Sequence, residues 1–287
     1  MPRNMTTFGT ETEIFLSDAD VPFAVSSNGS APLRPALGGD RLERVAAFKQ
    51  MYRLMDDFHR VRCERDAAFR ELTRAHHETL FRLAYAAELK AGRSGGRIVR
   101  IGALSAILGR AMGRPQGWCE MLLLAAPMLD VGTIGVPDRP APDAATTSGT
   151  AHETEAALHH TELGARILGG SDIPVLNMAC EIALCHHERW DGQGRPGGLA
   201  GRRIPLSARI VAVVDAFDGF DRKEHPGEFG DGAVAHLQAM AGSRFDPTIV
   251  AALAENAARL ASARAFVDGQ RLGCDGNPWE GDWWTVF

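Results

Sequence analysis

The stretch EIALCHHERWDGQGRPGGLAGRRIPLSARIVAVVDAFD, Glu181–Asp218, decides how the rest of the chain reads. Its first residues finish an apolar helix, VLNMACEIALC, which ends in the adjacent histidines His186 and His187. A loop rich in Gly and Pro follows, including Gly192, Gly194, Arg195 and Pro196, and then a second apolar helix carries Asp215 and Asp218. A lone histidine in an apolar helix is ordinarily a satisfied core residue. Adjacent ones differ in direction by about 100° around the helix axis, so both reach one ion only near the helix end. Asp215 sits in IVAVVDAF, where every neighbour is apolar. An ionised carboxylate buried there costs several kcal/mol unless a cation or strong donors compensate.

Working outward, the same predicament recurs at Asp130, which ends the apolar run LLLAAPMLD. The residue before it, where a second polar ligand would be expected, is Leu129. The segment HHTELGARIL adds His159 and His160 from another helix. Imidazoles and carboxylates delivered from several helices suit a first-row metal site of N/O type. A buried polar network is the plainer alternative.

The chain has 287 residues, 45% of them hydrophobic, enough for one sizeable core. Its net charge of -5 gives no electrostatic reason to expect nucleic acid or an anionic membrane as partner. No run approaches the 18 or more apolar residues of a membrane span, and the N-terminus lacks the basic start and apolar run of a signal peptide. The five cysteines form no CxxC pair, which suits free thiols and a cytoplasmic location.

Residues 1–40 are rich in Ser, Thr, Gly, Pro and Asp and are expected to be irregular. No Gly or Pro occurs between Asp40 and Lys90, and Val45, Phe48, Tyr52 and Met55 recur at helical spacing. A long helical segment over 41–92 is expected, packed on its own domain or forming a coiled-coil homodimer. Further helices are expected over 97–113, 116–129, 151–168, 174–188, 206–220, 230–241 and 247–265, the last with Asp246 as N-cap and Pro247 at its first position. The tail 268–287, with Trp279, Trp283, Trp284 and Phe287, is expected to fold back onto an apolar groove.

The segments AAPMLDVGTIGVPD, HHTELGARIL and IALCHHERWDGQGRPGGLAGRRIPLSARIVAVVDAFD resemble the successive signatures of the HD-GYP family, from about Thr79 to Phe266. That family is a branch of the HD-domain metal-dependent phosphohydrolases and hydrolyses cyclic di-GMP in bacteria. The resemblance implies an all-α fold: an HD-type helical bundle over 93–267, preceded by the long helix or coiled coil. It implies a metal centre built from Asp130, His160, His186 and His187, with Asp215 as a weaker candidate, and it places Asp218 on the nucleotide side.

Other positions depart from the family pattern. The histidine of the family's His-Asp pair is Leu129, and the upstream histidine is Arg97. The glutamate that adds a third metal in some members falls at Arg93, and the lysine after the His-Asp pair at Thr133. The tyrosine of Gly-Tyr-Pro is lost in Gly194-Arg195-Pro196, and the basic run beyond Asp218 is replaced by Asp221, Glu224 and Gly227. In the family's two-ion arrangement one ion loses two ligands to Arg97 and Leu129, whereas the other keeps its set. The implied cofactor is one divalent transition metal (Fe, Mn or Zn), or none. Arg97 is expected to pair with Asp215 or Asp130 as a cation in place of the lost ion; the alternative is that it points into solvent.

The reading that follows is a degenerate HD-GYP protein of cyclic di-GMP signalling that does not hydrolyse and acts through protein contacts. Its implied partners are a second copy, through the N-terminal helix, and a GGDEF-type or other signalling protein engaged by the loop. Two alternatives remain: a single-metal phosphodiesterase of weak or altered activity, and a sensor that binds cyclic di-GMP without cleaving it.

Overall fold

A computed structural model describes residues 37–93, 95–137, 149–223 and 231–269. Among these residues the fold is all-α, as expected. The helices are α1 (Leu37–Lys90), α2 (Gly96–Ala111), α3 (Gln116–Ala125), α4 (Gly149–Leu168), α5 (Pro174–Cys185), α6 (Leu206–Lys223), α7 (Asp231–Ala239), α8 (Pro247–Glu255) and α9 (Ala257–Gly269). Extended pairing among them is limited to the isolated bridges Asp191 with Ala200 and Ala241 with Phe245. Of the segment 1–40, residues 1–36 lie outside the described residues, and the chain is helical from Leu37. The four aromatic residues of the tail also lie outside them.

At three places the helices depart from the expected bounds for a local reason. The helix expected over 116–129 stops at Ala125 and tightens into a 3-10 turn, Ala126–Met128. Pro127 has no N–H to continue the α ladder. The helix expected over 174–188 stops at Cys185, so His186 is its C-cap. The stretch 247–265 divides at Asn256, where φ is -111° and ψ 13°. The Asn256 side chain turns back to donate to the Ala252 carbonyl at 2.8 Å, a local bond that competes with helix propagation. At the other end of α8, the Asp246 carboxylate accepts from the Thr248 N–H at 2.9 Å and Pro247 opens the helix.

The chain divides into two units, Met1–Cys63 and Glu64–Phe287. In the first, the side chains from Glu43 to Cys63 are solvent-exposed, among them Phe48, Tyr52, Met55 and Phe58. In the second, α2 is the central helix, and every residue from Ile98 to Gly109 is buried. A helix apolar on all sides belongs inside. Around it pack α3, α6 and α9, while α5 bridges α3, α4 and α6. The apolar core joins Phe81 of α1 with Ile101, Leu104, Leu122, Ile182, Val214 and Phe217. Among the described residues one stretch, Gln116–Gly135, is long and apolar enough to cross a membrane, and 61% of its most apolar window is buried within the protein.

Candidate metal centre and its guanidinium neighbour

Close backbone approaches bring the histidines to Asp130. After Asp130 the chain makes a 3-10 turn, Val131–Gly135, that lies against α4. A Cβ added to Gly132 would stand 1.8 Å from the His160 carbonyl oxygen, so only glycine lets the turn come so near. Gly164, one turn further along α4, approaches α5 so closely that a Cβ there would be 3.0 Å from that of Ala183. His160 precedes Gly164 by a turn and His186 follows Ala183 by a turn. That contact therefore sets the imidazoles of α4 and of the α5 end side by side.

The nitrogens converge. His160 Nε2 lies 3.3 Å from His186 Nε2, and these atoms lie 3.4 and 3.6 Å from Asp130 Oδ1. One ligand atom from each of His160, His186 and His187 falls within 4.8 Å of the others. Ligands about 2.0–2.1 Å from one transition-metal ion lie roughly 3.0–3.4 Å apart, so the His160, His186 and Asp130 edges have the right scale. His186 Nδ1 faces the carbonyls of Ile182 at 3.0 Å and Ala183 at 3.1 Å, so it carries the proton and donates. That leaves Nε2 as the nitrogen turned toward Asp130, the atom that would face a metal. Burial, with the neighbouring His186 and His160, pushes the His187 pKa down to about 3, so this ring is neutral. These residues fit one divalent transition metal held by imidazoles and a carboxylate oxygen. When bound, such an ion supplies a Lewis acid and an acidified water.

The other oxygen of Asp130 has a different environment. Oδ2 accepts from Arg97 Nη1 at 3.0 Å and from Arg93 Nη1 at 2.9 Å. Arg97 Nη1 also reaches Glu88 Oε1 at 2.8 Å, and its Nη2 reaches Asp215 Oδ1 at 2.6 Å. The Arg97 side chain is 12% exposed. Of the two alternatives for this residue, pointing into solvent is therefore set aside. Burial opposes the Arg97 charge, but Asp215, Asp130 and Glu88 more than offset it and raise its pKa. Burial alone would push the Asp130 carboxyl up. Hydrogen bonds with His160 and His186 and the Arg97 charge outweigh it and hold the carboxyl well below the usual range. Asp130 thus faces the imidazoles with one oxygen and guanidinium groups with the other.

One turn along the same two helices a second rung forms. Arg100 Nε and Nη2 grip Asp218 Oδ1 and Oδ2 at 2.6 and 3.0 Å, and Arg264 of α9 adds a bond at 3.1 Å. Asp218 is 1% exposed and is absent from the lining of the cavity beside the histidines. Its place, expected on the nucleotide side, is inside an ion cluster between α2, α6 and α9. Leu129 is fully buried in the apolar core. His159 points outward and faces Glu162. Thr133 donates to the Ala87 carbonyl at 3.4 Å. The side chains at 221–230 lie outside the described residues.

Asp215 lines a cavity of about 250 Å3 together with His186, His187, Arg189, Arg195 and Arg244. The loop at its mouth is pinned from below by buried Glu188, which accepts from the N–H groups of Gly197 at 2.6 Å and Leu199 at 2.9 Å. Gly194 and Arg195 line this cavity, whereas Gly192 sits at the turn behind and Pro196 follows. Glu88, Arg100 and Arg244 were not singled out by the sequence reading. Glu88 had a signal: it continues the buried stripe of Phe81 and Ala84 at helical spacing.

Comparison with known proteins agrees with this architecture. Residues 82–249 match the family described as HD domain. The cyclic di-GMP phosphodiesterase response regulator RpfG of Xanthomonas campestris pv. campestris is 35% identical over 198 residues, covering 68% of this chain and 51% of that protein. A cyclic di-GMP phosphodiesterase of Thermotoga maritima is 38% identical over 156 residues, covering 53% of this chain and 42% of that one. Among solved structures, a cyclic GMP-AMP-specific phosphodiesterase of Vibrio cholerae superposes with a TM-score of 0.52 at 18% identity, covering 67% of this chain and 52% of the other. That last likeness speaks for the fold alone. The chain spans about half the length of these relatives. It belongs to the HD-domain family. Within that family its signatures and relatives place it in the HD-GYP branch.

Proposed function

We infer that this chain is a non-hydrolytic HD-GYP protein of bacterial cyclic di-GMP signalling, which retains one ion-binding position and acts by contact rather than by cleavage. The observation that carries this reading is the Arg97 guanidinium between Asp130 and Asp215. Two-ion hydrolysis needs ions about 3.5–4 Å apart to generate the nucleophile and to steady both reacting oxygens. A guanidinium supplies charge and five donors, but it has no open coordination position and cannot turn water into a bound hydroxide. The first unit supports the contact role. Val45, Phe48, Met51, Tyr52, Met55 and Phe58 expose large apolar surface at three- and four-residue spacing, which suits a second copy in a coiled coil.

A second reading, a single-metal phosphodiesterase of altered activity, draws on the convergence of His160, His186, His187 and Asp130 beside an open cavity. One assay separates the two. Purified protein loaded with Mn or Fe is incubated with cyclic di-GMP. No product above a metal-only control is expected; turnover abolished by His186→Ala would establish the second reading instead.

A further inference from the structure

The cavity beside the imidazoles has a charge pattern that the metal centre does not use. Of the groups on its wall, Asp215 is bonded to Arg97. Arg189 closes on Asp191 through bonds of 3.1 and 2.6 Å. Both oxygens of Glu188 are engaged by backbone N–H groups of the loop. That leaves Arg195 and Arg244, and among the described residues no carboxylate pairs with either. Both side chains are exposed, yet their backbones are fixed. The Arg195 N–H donates to the His187 carbonyl at 3.3 Å, and the Arg244 carbonyl accepts from the Trp190 N–H at 3.1 Å. The Arg244 guanidinium lies 5.2 Å from the centre of the Phe245 ring, a cation–π contact that orients it.

We propose that Arg195 and Arg244 form an anion subsite that takes a phosphomonoester, a small molecule ending in a terminal phosphate, in preference to a cyclic dinucleotide. Charge supports the monoester. A terminal phosphate carries about -1.5 to -2 at neutral pH, matching two guanidinium groups, and its oxygens suit their paired N–H donors. A ring phosphodiester offers one charge per phosphate. Size points the same way. Sites that enclose drug-sized ligands run about 300–1,000 Å3, and this cavity has about 250 Å3. It admits a phosphate and part of its carrier, whereas most of a molecule with two bases and two phosphates would lie outside. The proposal rests on the cavity and its arginines, not on the loss of hydrolysis.

Calorimetric titration of the full chain tests it, after metal removal by EDTA so that no ion holds the phosphate. The probes are guanosine 5′-monophosphate, inorganic phosphate and cyclic di-GMP. Saturable binding of the monophosphate is expected, with inorganic phosphate competing and cyclic di-GMP binding more weakly. Affinity should fall about ten-fold or more in Arg195→Gln/Arg244→Gln, the scale of losing a charge-assisted bond. An unchanged melting temperature in this surface variant would show that its fold is kept. If the monophosphate does not bind, binds equally to the double variant, or binds more weakly than cyclic di-GMP, the subsite is refuted. Turnover is a separate readout. A protein that hydrolyses cyclic di-GMP and still binds the monophosphate through these arginines would overturn the functional reading and leave the subsite standing.

Discussion

Arg97 bonds Asp215 at 2.6 Å with one amino group and Asp130 at 3.0 Å with the other, tying α2 to α6 and to the turn after α3. The same guanidinium meets Glu88, so several carboxylates share it. Removing one partner of such a buried cluster leaves uncompensated charge, which costs about 3–5 kcal/mol. Arg97→Ala should lose stability on that scale in urea denaturation at pH 7. A loss below about 1 kcal/mol, the scale of an exposed pair, would mean that Arg97 is not what holds these carboxylates together.

Acid should unfold the protein, and the sign follows from His187. Its pKa falls from an ordinary 6.5 to about 3 in the folded chain. The unfolded state therefore binds the proton first, and stability drops as pH falls from about 6.5 toward 3. Asp130, held below its usual range, adds a loss at still lower pH. Glu88 works the other way: burial raises its pKa despite Arg97 and Arg93, so protonation favours the folded form. The melting temperature should fall between pH 7.5 and pH 5, and fall less in His187→Gln. Equal falls in both proteins would remove His187 as the cause.

Asp218 separates a structural role from a ligand-binding one. Its carboxylate is gripped by Arg100 and Arg264 in the interior. Asp218→Asn should lower the unfolding free energy by about 3–5 kcal/mol and leave the affinity for guanosine 5′-monophosphate unchanged. A changed affinity with unaltered stability would return Asp218 to the nucleotide side.

Gly132 tests the backbone approach that places His160. A methyl group there meets the His160 carbonyl at 1.8 Å, and backbone must shift to admit it. Gly132→Ala should cost about 1–3 kcal/mol or more, as overpacking does, and should weaken metal binding by displacing His160. Unimpaired metal binding and stability would show that the turn can move away freely.

Much of this was legible in the residues. Helical spacing gave the helices, the family resemblance gave their bundle, and the predicament of Asp130 and Asp215 among apolar neighbours pointed to a compensating cation or strong donors. Arg97 stood out because a permanent cation occupies a ligand position. Arg100 did not, because an arginine in RIVRIGAL reads as a side chain that reaches solvent, and only the packing of α6 and α9 shows the carboxylates around it. The break at Asn256 was hidden for a related reason. It comes from a side-chain bond back to Ala252, with no glycine or proline to mark it. Arg244 enters the cavity from a turn far along the chain, a proximity that no local pattern contains.

The central claim is that a guanidinium occupies the second ion's place, and counting metal tests it most directly. Purified protein saturated with Mn or Fe and freed of excess metal should carry about one ion per chain by mass spectrometry, lost in His186→Ala, with a second gained only in Arg97→His/Leu129→His. Two ions in the unaltered chain, or none at saturation, would contradict the account.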